Sequence, residues 1–473
     1  MTKHYTELTG SGGERVQFSA PMFEAKTCFS QRPPAAKLGL KTAPILRIGS
    51  LGFVIETDTP AEDFANIDRV EFIQSGKTLL DAAILTPMQS ADGEIECRFS
   101  DRALDLSALV GANAAATVRT APTACARPSV PAEYKIFCAD VLDTIATHRR
   151  FLEEEILPLQ PVLTSDDRIA LDRRMEEAFG AEWMALMMRG DALVLPYKYD
   201  KVDKPHFKRF TENIITRELC KAENWGRSYY KPMGYPGDFQ IMNSIYEPNP
   251  GSDDPYIRYL FMLGRIAGTP ILKRMEYLSH SIEALPKTNT DRSHFHVMSI
   301  GAGPACELQR FFARRQSRGE GYSITLVDPE IQALNFAIER VYRSVSADLA
   351  SIMVSGMNTS FTEMLRPTST FRHLPPQDLI YSAGLVDYLN PRIARSLISK
   401  LYEHLRPGGS VIIGNMNDAG LGSYWPLEYA LDWSLYFRNE EEMRDMASNT
   451  NGIVELDTDE TGAIYMLKVT KPA

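Results

Sequence analysis

The sequence predicts an α/β fold for the C-terminal part of the chain, built on a doubly wound, mostly parallel sheet. Three observations lead there. An apolar strand (Val297, Met298, Ile300) runs into a turn holding Gly301 and Gly303 and then into a helix start, within HVMSIGAGPACEL from His296 to Leu308. A second strand, ITLVD from Ile324 to Asp328, ends in an acid placed where a carboxylate can accept both ribose hydroxyls of a bound nucleoside. Strand patterns then recur in VSGMN (Val354 to Asn358), DLIYSAGLVDYL (Asp378 to Leu389) and LRPGGSVIIGNM (Leu405 to Met416). One G-x-G is a weak signal, but five segments in this order are specific.

A chain of 473 residues with 44% hydrophobic content has material for more than one core. Its formal charge of -10 argues against a broad footprint for nucleic acid or an anionic membrane, though a local basic patch stays open. No apolar run is long enough for a membrane span, and MTKHYTELTGSGGERVQF lacks the apolar core of a secretory signal. A cytoplasmic protein is expected. The six cysteines show no C-x-x-C, so neither a metal knuckle nor a disulfide framework is expected, and Cys306 is read as packing before chemistry.

Taken in order, residues 1–40 read as a flexible lead-in rich in Gly, Ser, Thr and Pro. Residues 41–110 carry the short runs ILRI, GFVIET, VEFIQ, AAILTPM and EIECRF, which predict a small all-β domain. Within it, LRIGSLGFVIET (Leu46 to Thr57) resembles the strand-turn-strand of PilZ domains, bacterial modules that bind cyclic di-GMP. Arg47 and Gly49 stand where that family has an acid or amide and a Ser, Gly52 fits, and Arg32 lacks a partner Arg four residues on. The resemblance therefore implies a PilZ-like barrel in which cyclic di-GMP binding is not expected.

Residues 111–132 shift to Ala, Thr and Pro and read as a linker. A helical domain is expected over 133–290: one helix from Glu133 to Leu159, one capped by Ser165 and running to about Met188, one from Phe207 to Ala222, and helices over Pro255 to Leu285. Between them lies NWGRSYYKPMGYPGDFQIMNSIYE (224–247), where three glycines and two prolines separate Trp225, Tyr229, Tyr230, Tyr235, Phe239 and Tyr246. So much Gly and Pro among aromatics serves poorly as core and predicts a lid that excludes water.

Residues 291–473 then hold the Rossmann-like sheet. The order of its five segments, with the late Pro-Gly-Gly turn, is similar to that of class I S-adenosylmethionine-dependent methyltransferases. The resemblance implies S-adenosylmethionine as cofactor and a division of the site into cradle and acceptor pocket. Gly301, Ala302 and Gly303 would let backbone approach the methionine half and ribose; Asp328 would take the ribose hydroxyls, with Pro329 and Glu330 beside the adenine. Met357 and Asn358 would line the adenine edge, and Ser382, Ala383 and Gly384 would lie where sulfonium and acceptor meet. Ser299 stands where many family members carry an acid, so Glu307 would hold the cofactor ammonium.

SAGLVDYL, GYPGDFQIMNSIY and WPLEYALDWSLYFRNEEEMR (Trp425 to Arg444) also resemble the methyltransferases of 3-hydroxypalmitic acid methyl ester biosynthesis, makers of a quorum-signalling fatty ester. This implies O-methylation of a carboxylic acid, which is ionised at neutral pH and attacks without a general base. Arg227, Tyr229, Tyr235, Tyr388 and Asn415 are the catalytic candidates. Lys231 and Arg438 join them as polar groups, and Tyr230, Trp425, Tyr429 and Trp433 as walls; helix core is an equal reading for the late aromatics. Asp238, Glu428 and Asp432 keep an amine or hydroxyl acceptor open. A small-molecule substrate is the expected partner, with a homodimer through the helical or β domain left open. A reading of another class is a signalling adaptor whose methyltransferase fold does not turn over.

Overall fold

In the computed structural model the described residues are 5–8, 15–18, 21–29, 33–57, 60–74, 77–89, 94–119, 130–288, 291–315, 319–345, 351–366 and 373–473. They form two compact units, Met1–Pro128 and Ser129–Ala473.

The first unit is an antiparallel sheet with the order Lys77–Ala83, Arg69–Gln74, Ala35–Leu38, Lys41–Gly49, Gly52–Ile55, Ile95–Arg98 and Met88–Gln89; Met22–Glu24 pairs along Lys41–Gly49. A bridge between Ile84 and Phe99, with Leu85 N–H on Arg98 O at 2.8 Å and Ser100 N–H on Ala83 O at 2.9 Å, brings the outer strand round to Ile95–Arg98. Alternate residues point inward, and Phe53, Phe72 and Phe99 meet at the centre with ring centroids 5.0 to 6.2 Å apart. Part of the expected lead-in belongs to this sheet, because Ala25, Phe29, Ala36 and Leu38 are buried in its core. The expected linker is helical at its start, within Leu106–Arg119, where alanine favours helix. Residues 120–129, with Cys125, and Arg32 lie outside the described residues.

The second unit opens with helices α1 (Ala132–Phe151) and α2 (Ser165–Val194), the latter longer than periodicity implied. Its cap is Thr164 and not Ser165: the Thr164 side chain accepts from Asp167 N–H at 3.2 Å and the Asp167 carboxylate accepts from Thr164 N–H at 2.9 Å, a reciprocal capping box. The third expected helix is broken into Lys204–Thr211, a π turn and Arg217–Leu219. α3 (Glu223–Tyr230) and α4 (Phe239–Tyr246) flank the Gly-Pro turn, and α5 (Pro255–Ala267) and α6 (Thr269–Glu283) part at Gly268.

The sheet follows: β1 (His294–Ile300), α7 (Cys306–Arg314), β2 (Gly321–Asp328), α8 (Ile331–Ser344), β3 (Ile352–Asn358), β4 (Gln377–Ser382), α9 (Pro391–Glu403), β5 (Leu405–Met416), β6 (Ile453–Thr458) and β7 (Ile464–Thr470). Its order is β3-β2-β1-β4-β5-β7-β6, with the first five strands parallel and the last two an antiparallel hairpin on β5. The reversal of order at β1/β4 is the switch point at which open α/β sheets form a crevice. Alternation along the strands serves two cores. Phe295, Val297, Ile324 and Leu326 face the helices of 133–290, whereas Met298, Ile300, Val327 and Ile380 face α9 and Met443. The helical region and the sheet thus share one core, centred on Trp183, Trp225 and Trp425. No described helix is long and apolar enough to cross a membrane.

Candidate active site

The crevice at the switch point is built from the turn after β1. Gly301 (φ 66°) and Gly303 (φ 53°) lie in the left-handed region. Gly301 and Ala302 N–H donate to Val327 O at 2.8 and 3.1 Å, stitching the turn onto the end of β2. Gly303 N–H donates to Asp328 Oδ2 at 2.9 Å, and Glu330 N–H to Oδ1 at 2.9 Å. Each carboxylate oxygen keeps a lone pair beyond these bonds. Burial pushes the Asp328 carboxyl above the usual range, against the pull of the two backbone donors.

Turn and acid face a cavity of about 290 Å³. Gly301, Ala302, Gly303, Glu307, Asp328 and Pro329 form one wall, and Ala383, Gly384, Asp387 and Tyr388 after β4 form another. Tyr235, Gly237, Phe239, Met242 and Tyr246 come across from the 224–247 segment, so this segment does cover the crevice. Gly237 lies flush against the opposite side: a methyl there would come within 2.5 Å of Trp433 Cζ2 and 2.7 Å of Tyr388 Oη. Those two side chains are themselves joined, Trp433 Nε1–H donating to Tyr388 Oη at 2.8 Å.

Glu307, buried at the start of α7, accepts from Tyr381 O–H at 2.7 Å, and burial raises its pKa. Opposite it are two groups the sequence reading passed over. Arg274 of α6 and Asp387 meet at 3.2 Å with both side chains buried. Asp387 Oδ1 also accepts from Met416 N–H at 2.8 Å, yet burial outweighs both partners and pushes its carboxyl up to about 6. A signal for Arg274 existed: Ile271, Met275, Leu278 and Ile282 are the apolar face of α6, and Arg274 shares it. A charge on an apolar face must find a partner or a ligand.

Of the sequence candidates, Gly301, Ala302, Gly303, Glu307, Asp328, Pro329, Ala383, Gly384, Tyr235, Tyr388 and Trp433 line this cavity. The others do not. Arg227 grips Asp238 through Nε at 2.8 and 3.0 Å, and Asp238 caps α4 through Gln240 and Ile241 N–H. Lys231 is bound to Asp432 at 2.9 Å. Asn415 donates to Met416 O and Tyr436 O, and Arg438 donates to Asn415 Oδ1, Val386 O and Leu389 O, so both are absorbed in holding the chain behind the wall. Trp425 packs on Phe137 and Trp183 and donates to Tyr134 Oη at 3.0 Å. Glu428 is buried against Lys204 and Lys208. Tyr229, Tyr230 and Tyr429 line a separate open basin with Lys201, Lys204 and Lys208. Asn358 Nδ2 donates to Asp328 O and Pro329 O, supporting the cradle from behind; Met357 packs on the core beneath, and Ser382 is fully buried. Cys306 is buried packing, its thiol pushed up to about 11 by burial. Among the described residues no His, Cys, Asp and Glu group is placed to hold a metal.

No family model and no curated protein matches the chain. Solved structures do. A "possible exported protein" from Bordetella parapertussis is 16% identical, over 57% of this chain and 96% of its own, with a TM-score of 0.40. Magnesium protoporphyrin IX methyltransferase (ChlM) from Synechocystis PCC 6803, with bound SAH, is 12% identical over 52% of this chain and 97% of its own, with a TM-score of 0.35. The N-methyltransferase NodS from Bradyrhizobium japonicum WM9 is 13% identical over 42% of this chain and 97% of its own, with a TM-score of 0.28.

Proposed function

We propose that the second unit is an S-adenosylmethionine-dependent methyltransferase acting on a small carboxylic acid. The observation that carries the reading is the union of the Gly301–Gly303 turn with Asp328 across one crevice, closed by the 224–247 segment. The wall fits the cofactor's chemistry. A methyl on Gly303 would meet nothing within 4 Å, so backbone there is open to a ligand. Asp328 has lone pairs for two ribose hydroxyls, and Glu307 offers a buried carboxylate to an ammonium. Bound S-adenosylmethionine supplies an electrophilic methyl group on a sulfonium.

The chain's own part is positioning. Tyr235, Tyr246, Tyr388 and Trp433 exclude water and present ring faces to positive charge, while the walls hold donor and acceptor in line. A carboxylate acceptor needs no proton removed, and the cavity holds no His or Lys. A second reading, methylation of an amine or hydroxyl, is favoured by one observation: Asp387, pushed up to about 6, stands in the wall with the pKa of a serviceable base. Incubation with labelled cofactor and cell extract followed by base separates the two, because methyl esters release volatile methanol and N-methyl products or ethers do not. Absence of any labelled product, with no calorimetric binding of S-adenosylhomocysteine, would remove both.

For the first unit we infer a PilZ-like module without cyclic di-GMP. Arg47, in the motif's strand, is engaged with Glu94. Gly49 and Gly52 serve close packing, since a methyl at either would strike Pro21 O or Cys97 O.

A further inference from the structure

Arg274 is the lone lysine or arginine in the cavity wall among the described residues, and it is 5% exposed. A guanidinium carries five N–H donors. The hydrogen bond it makes is Nη1–H to Asp387 Oδ2, at 3.2 Å, and its Nε is buried without a partner. The side chain is laid across two glycines at the ends of β4 and β5. A methyl on Gly414 would come within 2.8 Å of Arg274 Cδ, and one on Gly384 within 2.9 Å of Nη2 and 3.1 Å of Nη1. Any other residue at either position would displace the guanidinium. Asp387 is fixed in turn by Met416 N–H and cannot swing round to satisfy the remaining donors. A buried cation with donors left over is costly unless a ligand anion completes it, and the planar fork matches a carboxylate.

We propose that Arg274 is the carboxylate receptor of this cavity, positioned by Asp387 and admitted by Gly384 and Gly414. The inference rests on the methyltransferase reading and deepens it. One chemistry has two sources here, the amino-acid end of S-adenosylmethionine or the acid being methylated, and both would be brought to the mouth of β4 beside Leu385 and Gly301.

The test is titration calorimetry on the full chain and on Arg274→Met/Asp387→Asn, which removes both charges of the pair and leaves neither unpaired. Three probes are used: S-adenosylhomocysteine; 5′-methylthioadenosine, which keeps the adenosyl group and lacks the carboxylate; and 3-hydroxydecanoate in the presence of S-adenosylhomocysteine. A cofactor source weakens S-adenosylhomocysteine by roughly 10- to 100-fold in the variant and leaves 5′-methylthioadenosine unchanged. An acceptor source leaves both nucleosides unchanged and weakens 3-hydroxydecanoate by a similar factor. Unchanged S-adenosylhomocysteine together with absent or unchanged hydroxy-acid binding overturns the proposal alone. Failure of both nucleosides to bind the natural chain overturns the cofactor reading and this proposal with it. Should the double variant not fold, Arg274→Lys keeps the charge without the fork, and the same probes decide on it.

Discussion

The backbone N–H of Gly303 and the carboxylate of Asp328 are joined at 2.9 Å, so the turn after the first strand and the acid ending the second are one structural element. Asp328→Ala is expected to weaken S-adenosylhomocysteine binding roughly 10- to 100-fold, the loss of two hydrogen bonds to a charged acceptor. The domain should remain folded by circular dichroism, because burial disfavours this carboxylate in the empty fold. Unchanged affinity in the folded variant would move the ribose site elsewhere.

Gly237→Ala should act on the lid. Its new methyl meets the Trp433 ring and the Tyr388 hydroxyl at sub-contact distances, and these two residues are locked to each other. Overpacking of this kind costs about 1–3 kcal/mol. Urea unfolding monitored by fluorescence should show that loss, with ligand binding weakened in parallel; full retention of both would mean that the lid does not press on Trp433.

Arg438 and Asn415 are expected to answer in stability. Arg438→Ala strips partners from Val386 O, Leu389 O and Asn415 Oδ1 in a buried setting. A loss of roughly 2–4 kcal/mol in urea unfolding is expected. Arg438→Lys should recover little of it, since one ammonium cannot reproduce the fork. A stable variant with lost turnover would instead restore Arg438 to the chemistry.

Asp387 sets a pH dependence. Its carboxyl is raised by burial to about 6 in the fold and returns to the ordinary value, near 3.8, when unfolded. The folded state therefore binds the proton more tightly. Its contribution to stability is complete below about pH 4 and falls away as pH rises towards 6. Unfolding free energies of the natural chain minus those of Asp387→Asn, measured from pH 4 to 7, should decline across that window; a flat or rising difference contradicts the assignment.

Cysteine labelling offers a check on Cys306. Its thiol is pushed up to about 11, and those of Cys97 and Cys138 to about 12, by burial. At pH 8 an aromatic disulfide reagent should leave all three unreacted in the native protein and label them on unfolding. Fast native labelling of Cys306, located by mass spectrometry, would show access that its burial denies.

The amino-acid order by itself carried the strands, the glycine turn and the acid that follows it, because these depend on local periodicity and on spacing along one βαβ unit. It also carried the β runs of the first unit, each bounded by its own turn residues. The hairpin of β6 and β7 was passed over, although IVELDT and IYMLKVT alternate as strands should. What tertiary structure alone decided is which polar side chains face the cavity. Arg227, Asn415 and Arg438 are of the types a site uses, but each is taken up by a neighbour at a distance set by packing. Arg274 and Asp387, 113 residues apart, become partners only when α6 is laid across the ends of β4 and β5. Local pattern specifies which elements form; the direction in which a long polar side chain points is fixed by contacts between elements remote in sequence.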